Sequence, residues 1–428
     1  MKRRLTLLLA LTSFYCVNKS NAQTAPITAP VATPAASSDN WGIKFSGFVR
    51  NDVMFDTRQI NSAREGDLSL YPKDTLQDSD GKDINDAATF HMLAITTRLT
   101  GTITGPDAFG AKTSGILEAE FFGNFDGGIN EFRLRHAWAK LDWEKTQLAF
   151  GQYWHPLFAT DCYPGTIDFN TGMPFQPFNR SPQIRLTQKF GKVNLIVAAI
   201  SQRDFTSVAP AGYAATDPSR NSAIPNMHGQ LQYKGTKVVV GAAFDYTAIR
   251  PRLSSGVPTK VSDELATGST VEAYVKFNLK PVTIKAEVVM GENLTHHVMI
   301  GGYLAYINDT VSKMETYEST KTSAYWVDIA GTGKKIIPGI FVGYTKNDGA
   351  STNAKTAYGR GIAVSGRALE YVYRISPRVE FVSGKFKIGV ELEYTAALYG
   401  KVGNDAKVFD QKETVANQRV LFATTLLF

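Results

Sequence analysis

The chain has 428 residues, more than one ordinary globular domain needs, since about 150 residues per domain is typical. Charged residues make up only 20% and glycines number 36, a composition that argues against a coiled coil. Two cysteines exclude a disulfide scaffold and a metal site built from cysteines.

The first 22 residues have the organisation of a secretory signal peptide. Basic residues come first, an apolar run follows over 5–17, and small residues precede Gln23, where we expect cleavage. Removing this segment takes away four basic residues, so the net charge falls from +7 to +3, and no nucleic-acid partner is expected. Residues 23–40 are rich in alanine and proline and are predicted to form a flexible periplasmic segment.

From residue 41 to residue 428, apolar and polar residues alternate with a period of two. This alternation predicts an all-β chain of sixteen strands. Turns after the even-numbered strands are short, as at Gly191-Lys192, whereas long loops follow the odd-numbered strands, except for a short second loop over 124–130. This segregation is typical of a transmembrane antiparallel β-barrel with short periplasmic turns and long extracellular loops.

The two faces of the predicted strands differ in charge. In the first strand, Ile43, Phe45 and Val49 share one face, and Lys44 and Arg50 lie on the other. Sixteen strands enclose a lumen too wide for side chains to fill, so we expect the charged face to line water and the apolar face to contact lipid. A lysine or arginine at the bilayer midplane on the lipid face costs about 2–4 kcal/mol.

Two segments resemble known outer-membrane proteins. The last strand has apolar residues at every second position, including Phe422, Leu426 and Phe428, and resembles the assembly signal that the barrel assembly machinery recognises. The segment Phe132-Arg133-Leu134-Arg135-His136-Ala137-Trp138, followed by Gly151-Gln152-Tyr153-Trp154, resembles the middle of Gram-negative porins. The resemblance implies that a third loop, over 155–181, folds into the pore.

We expect a charged constriction inside this pore. The inward face of the predicted strands carries Arg98, Arg133, Arg135, Arg185, Lys44 and Arg50. The third loop, folded inward, would bring Asp161 and Asp168 across from these cations. In the alternative, the arginines pair with Glu118 and Glu120 and set no selectivity. The net charge of +3 favours a weak preference for anions.

The fourth strand leads to a prediction of the quaternary state. With Arg133 and Arg135 inside, as in the porins it resembles, His136 and Lys140 would face outward, where lipid disfavours them. A subunit interface would cover both, so we predict a homotrimer. The short second loop departs from the many trimeric porins that use this loop as a latch.

The remaining candidates for chemistry are weak. Loop 1 carries Asp78, Asp80, Asp83 and Asp86, which form either a solvated acidic loop or a Ca²⁺ site. His296 and His297 adjoin in a long loop and are expected to be exposed. Cys162 is expected to be a buried thiol. Pro338 and Pro377 fall inside predicted strands, where a bulge or a different strand boundary is required.

No nucleotide-binding, hydrolase or metalloprotease motif is present, so we expect neither an enzyme nor a cofactor. The leading hypothesis is an outer-membrane porin, a water-filled channel for small hydrophilic solutes. The second is a substrate-selective channel of the same fold. A remote alternative is a secreted soluble β-protein, such as a lectin or a propeller enzyme.

Overall fold

The computed structural model describes residues 41–428, and the signal peptide and the 23–40 segment lie outside the described residues. The strands are β1 (Gly42–Asp56), β2 (Thr89–Leu93 and Arg98–Thr104), β3 (Lys112–Glu120), β4 (Arg133–Asp142), β5 (Thr146–Trp154), β6 (Arg180–Phe190), β7 (Val193–Ile200), β8 (Asn226–Lys234), β9 (Val238–Ile249), β10 (Ala266–Asn278), β11 (Val282–Glu292), β12 (Lys321–Gly331), β13 (Ile336–Gly349), β14 (Arg367–Ser383), β15 (Phe386–Val402) and β16 (Val408–Leu427).

These strands form one closed antiparallel barrel. Each strand pairs with its neighbours in the chain, and β1 also pairs with β16, from Phe48 opposite Leu427 to Asp56 opposite Arg419. Both segments of β2 pair with β1, so they are one interrupted strand. Closure pairs the backbone groups that an open sheet would leave at its edges, as a lipid environment requires. The predicted sixteen-stranded fold is therefore confirmed.

Loops and turns segregate to opposite ends of the barrel. Loops 1 to 8 cover residues 57–88, 121–132, 155–179, 201–225, 250–265, 293–320, 350–366 and 403–407. Loop 8 is short, although the sequence predicted a long loop here, because β15 and β16 continue as a paired hairpin to Val402 and Val408. Within residues 41–428, no helix is long and apolar enough to cross a membrane.

The outer face of the barrel is apolar. Phe45, Leu231 and Leu392 lie on different sides of the barrel and are 63%, 57% and 50% exposed. Such exposure of large apolar side chains is unfavourable in water but favourable in hydrocarbon. These three residues belong to the charge-free phase of the sequence, so the lipid-facing side agrees with the prediction.

A bulge in β4 changes which side chains enter the lumen. On β3, Glu118 pairs with His136 of β4. The next residue of β3, Ala119, pairs with Leu134, so no residue of β3 lies opposite Arg135 in the strand register. One extra residue in one strand shifts the alternation of its side chains by one position. Arg135 and His136 therefore both face inward, although they are consecutive in sequence.

The bulge overturns the expectation that His136 and Lys140 face outward. His136 Nε2 lies 3.5 Å from Glu118 Oε1 inside the barrel. Lys140 pairs with Ala149, whose side chain is fully buried. Paired residues on antiparallel strands share a face, so Lys140 also points inward. The trimer prediction loses the observation on which it was based.

Pro338 and Pro377 lie within β13 and β14 without a bulge. Pro338 pairs with Val379 and Pro377 pairs with Ile340 in one continuous register. The strand pairing is disturbed only on the other side of β14. There the pairing with β15 is interrupted between Ile375 and Arg378 and then resumes in the same register. The sequence expectation of a bulge or a changed boundary was therefore wrong.

Inserted loops build an apolar core inside the barrel. The buried loop residues of this core are Leu68, Leu70, Tyr71, Phe122, Phe158, Cys162, Met173, Phe175, Phe178, Val298 and Ile300. Tyr274, Trp326 and Phe341 supply the wall against which they pack. We expected the third loop to fold into a water-filled lumen. Loops 1, 2 and 6 also cover part of the inner face, because burying their apolar surface is favourable by about 25 cal/mol per Å².

Candidate functional site

Loop 3, which connects β5 to β6, crosses the interior of the barrel and is hydrogen-bonded to the opposite wall. The backbone N–H of Asp168 donates to Glu391 on β15 at 2.7 Å, and Arg374 on β14 donates to the carbonyl of Met173 at 3.1 Å. The backbone N–H of Gly165 donates to Asp328 on β12 at 3.2 Å. These bonds hold the middle of the loop across the lumen.

The arginines of β2 and β4 lie inside the barrel, where two glutamates neutralise them. Glu120 lies 2.8 Å from Arg133 and Arg135, and 3.0 Å from Arg98. Glu118 lies 2.8 Å from Arg135. Glu120, Arg133 and Arg135 are at most 5% exposed. This arrangement corresponds to the alternative in which the arginines pair with lumen carboxylates.

Aromatic rings cover the same arginines. The Arg133 guanidinium lies 4.8 Å from the ring of Phe122 in loop 2, and the Arg98 guanidinium lies 5.5 Å from the ring of Phe169 in loop 3. A guanidinium over an aromatic face is attracted to the π electrons of the ring. The cluster is therefore packed beneath the loops rather than open to the lumen.

The other predicted cations lie apart from this cluster. Arg185 stacks on Trp138 and Tyr153 at 5.4 and 5.8 Å. Arg50 pairs with Asp52 at 2.6 Å. Lys44 is exposed.

Asp161 and Asp168 pair with cations other than the predicted ones. Asp161 lies 2.9 Å from Lys234 on β8, and Asp168 lies 2.8 Å from Arg419 on β16. We expected both carboxylates to face the arginines of β2, β4 and β6 across the pore. The structure differs because loop 3 reaches as far as β15 and β16, where Arg419 is the nearest partner for Asp168.

A cavity of about 370 Å³ lies between loop 3 and the short-turn end of the barrel. We call it the basic cavity, because its charged lining consists of Arg50, Lys276, Lys285, Arg378, Lys387, Asp328 and Glu380. The backbone of Gly165, Thr166 and Ile167 forms its boundary on the loop side. The alternation of the strands places these lysines on the inward face, but no local signal in the sequence shows that they converge.

The aspartates of loop 1 are not gathered into one group of convergent side chains. Asp83 pairs with Arg58 at 2.6 Å, and Asp78 accepts backbone N–H bonds from Asp80 and Lys82 at 2.9 Å. Within residues 41–428, the one group of carboxylate and histidine side chains close enough to share an ion is elsewhere, at His155, Asp245 and His297. The structure does not support the Ca²⁺ candidate that includes Asp86.

His296 and His297 are buried, contrary to the expectation that they are exposed. They belong to a 3₁₀ turn, Leu294–His297, which loop 6 inserts into the barrel. The carbonyl of His297 accepts the backbone N–H of Phe178 at 2.9 Å, and the carbonyl of His296 accepts the side-chain amide of Asn179 at 2.6 Å. These bonds join loop 6 to loop 3.

Burial sets the protonation of the loop residues nearby. It lowers the pKa of His155 to about 3 and the pKa of His296 to about 4, so both imidazoles are neutral at pH 7. Burial also raises the pKa of the Cys162 thiol to about 12. Cys162 Sγ lies 3.2 Å from the carbonyl of Val275, and this agrees with the expected buried thiol.

No family model matches this chain, and no curated protein matches it. Several solved structures do match the chain. The outer membrane channel DcaP of Acinetobacter baumannii matches with a TM-score of 0.61 and 16% identity, over 91% of this chain and 97% of that chain. The anion-selective porin from Comamonas acidovorans matches with a TM-score of 0.53 and 11% identity, over 91% and 100%. OmpT of Vibrio cholerae, in its trimer form, matches with a TM-score of 0.52 and 12% identity, over 91% and 99%.

These matches show the fold. The chain has the sixteen-stranded barrel fold of Gram-negative outer-membrane porins, which confirms the resemblance inferred from the sequence. The matched structures are described as a channel, a porin and an outer membrane protein.

Proposed function

We propose that this protein is a channel of the bacterial outer membrane through which small hydrophilic solutes and ions diffuse, with a preference for anions. The observation that carries the proposal is the basic cavity, which is lined by five basic and two acidic side chains. A passage lined by one sign of charge concentrates the opposite ions, because low-dielectric walls focus its field.

The pairing of the charges within the cavity supports this preference. Arg378 pairs with Asp328 at 2.7 Å, and Lys387 pairs with Glu380 at 3.2 Å. Both acidic residues of the lining are thereby neutralised. Lys285 donates to the carbonyl of Tyr163 at 2.8 Å and, like Lys276, forms no ion pair within the described chain. These two ammonium groups are the source of the anion preference.

A substrate-selective channel of the same fold is the second candidate function. The observation that favours it is the filling of the interior by loops 1, 2, 3 and 6, which leaves a cavity of about 370 Å³. A space of this size admits small solutes only. Two free lysines in such a space would favour a small carboxylate or phosphate over a neutral sugar.

Swelling of liposomes that contain the purified protein tests the channel and separates the two candidates. A general channel gives swelling rates that fall smoothly with the size of neutral sugars. A selective channel gives slow swelling with every sugar and fast swelling with one class of small anion. The absence of swelling in every solute would contradict both candidates and favour the soluble alternative.

We propose a homotrimer on new grounds. An apolar groove of about 300 Å³ lies on the outer face of β1 to β4, where Gly101 and Ala119 are flanked by Phe45, Leu99 and Leu117. Trimers occur in this fold, since OmpT has a trimer form. The groove provides a surface that a neighbouring subunit can fill. A particle mass of one chain in mild detergent would contradict the trimer.

A further inference from the structure

Four ionisable side chains converge near the root of loop 3. His155 follows β5, His228 lies on β8, Asp245 lies on β9, and His297 lies in the 3₁₀ turn of loop 6. Each of the four is at most 4% exposed. They come from four separate segments, so the fold alone brings them together.

Two distances within this group are close to those between metal ligands. Asp245 Oδ1 lies 3.3 Å from His228 Nδ1 and 3.5 Å from His155 Nε2. Ligand atoms at the corners of a tetrahedral zinc site, with bonds of about 2.0–2.1 Å, lie about 3.3 Å apart. One ligand atom from each of His155, Asp245 and His297 lies within 4.8 Å of the other two, and His228, which contacts Asp245, is outside this group of three.

The hydrogen bonds of His228 leave its Nδ1 free to face Asp245. Gln230 donates its amide N–H to the hydroxyl of Tyr274 at 2.7 Å, so its Oε1 is the acceptor that faces His228 Nε2 at 3.3 Å. His228 therefore carries its proton on Nε2. In the neutral imidazole, Nδ1 then presents a lone pair to the carboxylate of Asp245 at 3.3 Å, and a metal ion between the two would satisfy both acceptors, as a proton on Nδ1 also would.

His297 supplies a further nitrogen atom that could bind a metal ion. It is completely buried, and neither of its ring nitrogens has a hydrogen-bond partner. A buried polar group without a partner costs about 1–3 kcal/mol. A metal ion bound to one of these nitrogens would remove that cost, since neutral imidazole is a common metal ligand.

We propose that His155, Asp245 and His297, with His228 as the fourth ligand, bind one divalent transition-metal ion of the zinc class. Three imidazole nitrogens and one carboxylate oxygen are a ligand set that suits Zn²⁺ and disfavours Ca²⁺ and Mg²⁺, which prefer oxygen. The ion would join loop 3 and loop 6 to the wall formed by β8 and β9, and so fix the root of the loop that crosses the lumen.

His155 and His296 have different roles in this site. His155 Nδ1 accepts the backbone N–H of Leu157 at 3.2 Å, so Nε2 carries the proton before an ion binds. Coordination through Nε2 moves that proton to Nδ1 and releases this bond. His296 is not a ligand, because Asn293 and Asn226 lie 3.1 and 3.4 Å from its two nitrogens.

Metal binding to the full-length folded protein, purified without a polyhistidine tag, tests the proposal. The protein is stripped with a chelator, incubated with Zn²⁺ alone, freed of excess ion and analysed for zinc by mass spectrometry. The variants are His297→Gln and His228→Gln, with His91→Gln as the control, because His91 lies outside the group. Heat-dependent gel migration identifies the folded fraction of each variant, and only that fraction is compared.

We expect one Zn²⁺ per chain in the wild type and in His91→Gln, and an affinity at least about 100-fold lower in the other two variants. Zinc should also raise the unfolding temperature of the wild type, since a ligand that binds only the folded state stabilises it. This second measurement does not depend on the folding of any variant. Absence of stoichiometric zinc in the wild type, unchanged binding in a folded His297→Gln protein, or no rise in unfolding temperature would each overturn the proposal.

Discussion

Asp168 in the middle of loop 3 and Arg419 on the last strand form an ion pair of 2.8 Å, and both residues are only 1% exposed. Arg419 also bonds Asp56 at 2.8 Å. One guanidinium therefore joins the loop that crosses the lumen to the seam where β16 closes against β1. Its position makes it the most sensitive test of how loop 3 is held.

Arg419→Met should lower the unfolding temperature and increase both single-channel conductance and its noise. The substitution leaves Asp56 and Asp168 buried without their cation, and breaking a buried pair in this way costs about 3–5 kcal/mol. Arg367→Met is the matched control, since Arg367 pairs with Asp74 at the loop end, where both side chains are partly exposed. Equal unfolding temperature and conductance for the two variants would show that the pair does not hold the loop.

Val240→Arg should impair insertion into membranes, by about 2–4 kcal/mol if the site lies near the bilayer midplane. Val240 is 42% exposed on the outer face of β9. Thr187→Arg on the inner face of β6 is the control and should insert normally. The measurement is the folded fraction in lipid vesicles after dilution from denaturant. Similar folded fractions for the two variants would mean that the lipid face is assigned wrongly.

Asp67 in loop 1 should make the folded protein more stable in mild acid than in mild base. Burial first, and then the neighbouring Asp52 and Asp168, raise the pKa of its carboxyl well above the usual value, although Arg50 and Arg419 act in the opposite direction. The folded protein therefore holds this proton more tightly than the unfolded chain does. The stability it contributes is complete below the unfolded pKa of about 3.9 and is lost as the pH rises through the folded pKa.

The measurement is the temperature at which the folded band disappears on a gel, at pH 5 and at pH 8. Asp67→Asn should reduce the difference between these temperatures and raise the value at pH 8. Asp78→Asn in the same loop is the control, because Asp78 is exposed. A pH dependence that survives Asp67→Asn unchanged would assign the effect to other groups.

Phe428→Ala should reduce the amount of assembled barrel in cells several-fold. Phe428 is 51% exposed, and its backbone pairs with Gly47 at 3.1 Å. Phe386→Ala is the matched control, because Phe386 lies on the adjacent strand at the same rim and is 43% exposed. If both variants assemble equally, Phe428 acts as one more aromatic residue of the rim rather than as an assembly signal.

The barrel could be predicted from the sequence because its signals are local. The alternation along each strand and the alternation of short and long connections need no knowledge of tertiary contacts. The bulge at Arg135 could not be predicted directly, since no residue type in the sequence marks the position of an inserted residue. The conflict that it resolves was nevertheless visible, as His136 and Lys140 would otherwise have faced lipid.

The interior could not be predicted, because it depends on contacts between distant segments. Asp168 finds Arg419, which is 251 residues away in the chain, only after loop 3 has crossed the lumen. The approach of His155 to His297 likewise depends on how loop 6 folds inward. Apolar loop residues such as Phe175 and Phe178 were the available signal that the loops are buried.

The reversal potential of single channels in a tenfold KCl gradient tests the central claim most directly. We predict stepwise conductance with a reversal potential on the side of chloride preference. Lys276→Gln combined with Lys285→Gln should shift that potential toward potassium, whereas Lys355→Gln at the exposed loop end should leave it unchanged. Absence of conductance steps, or a potassium preference that the double substitution does not alter, would contradict the account.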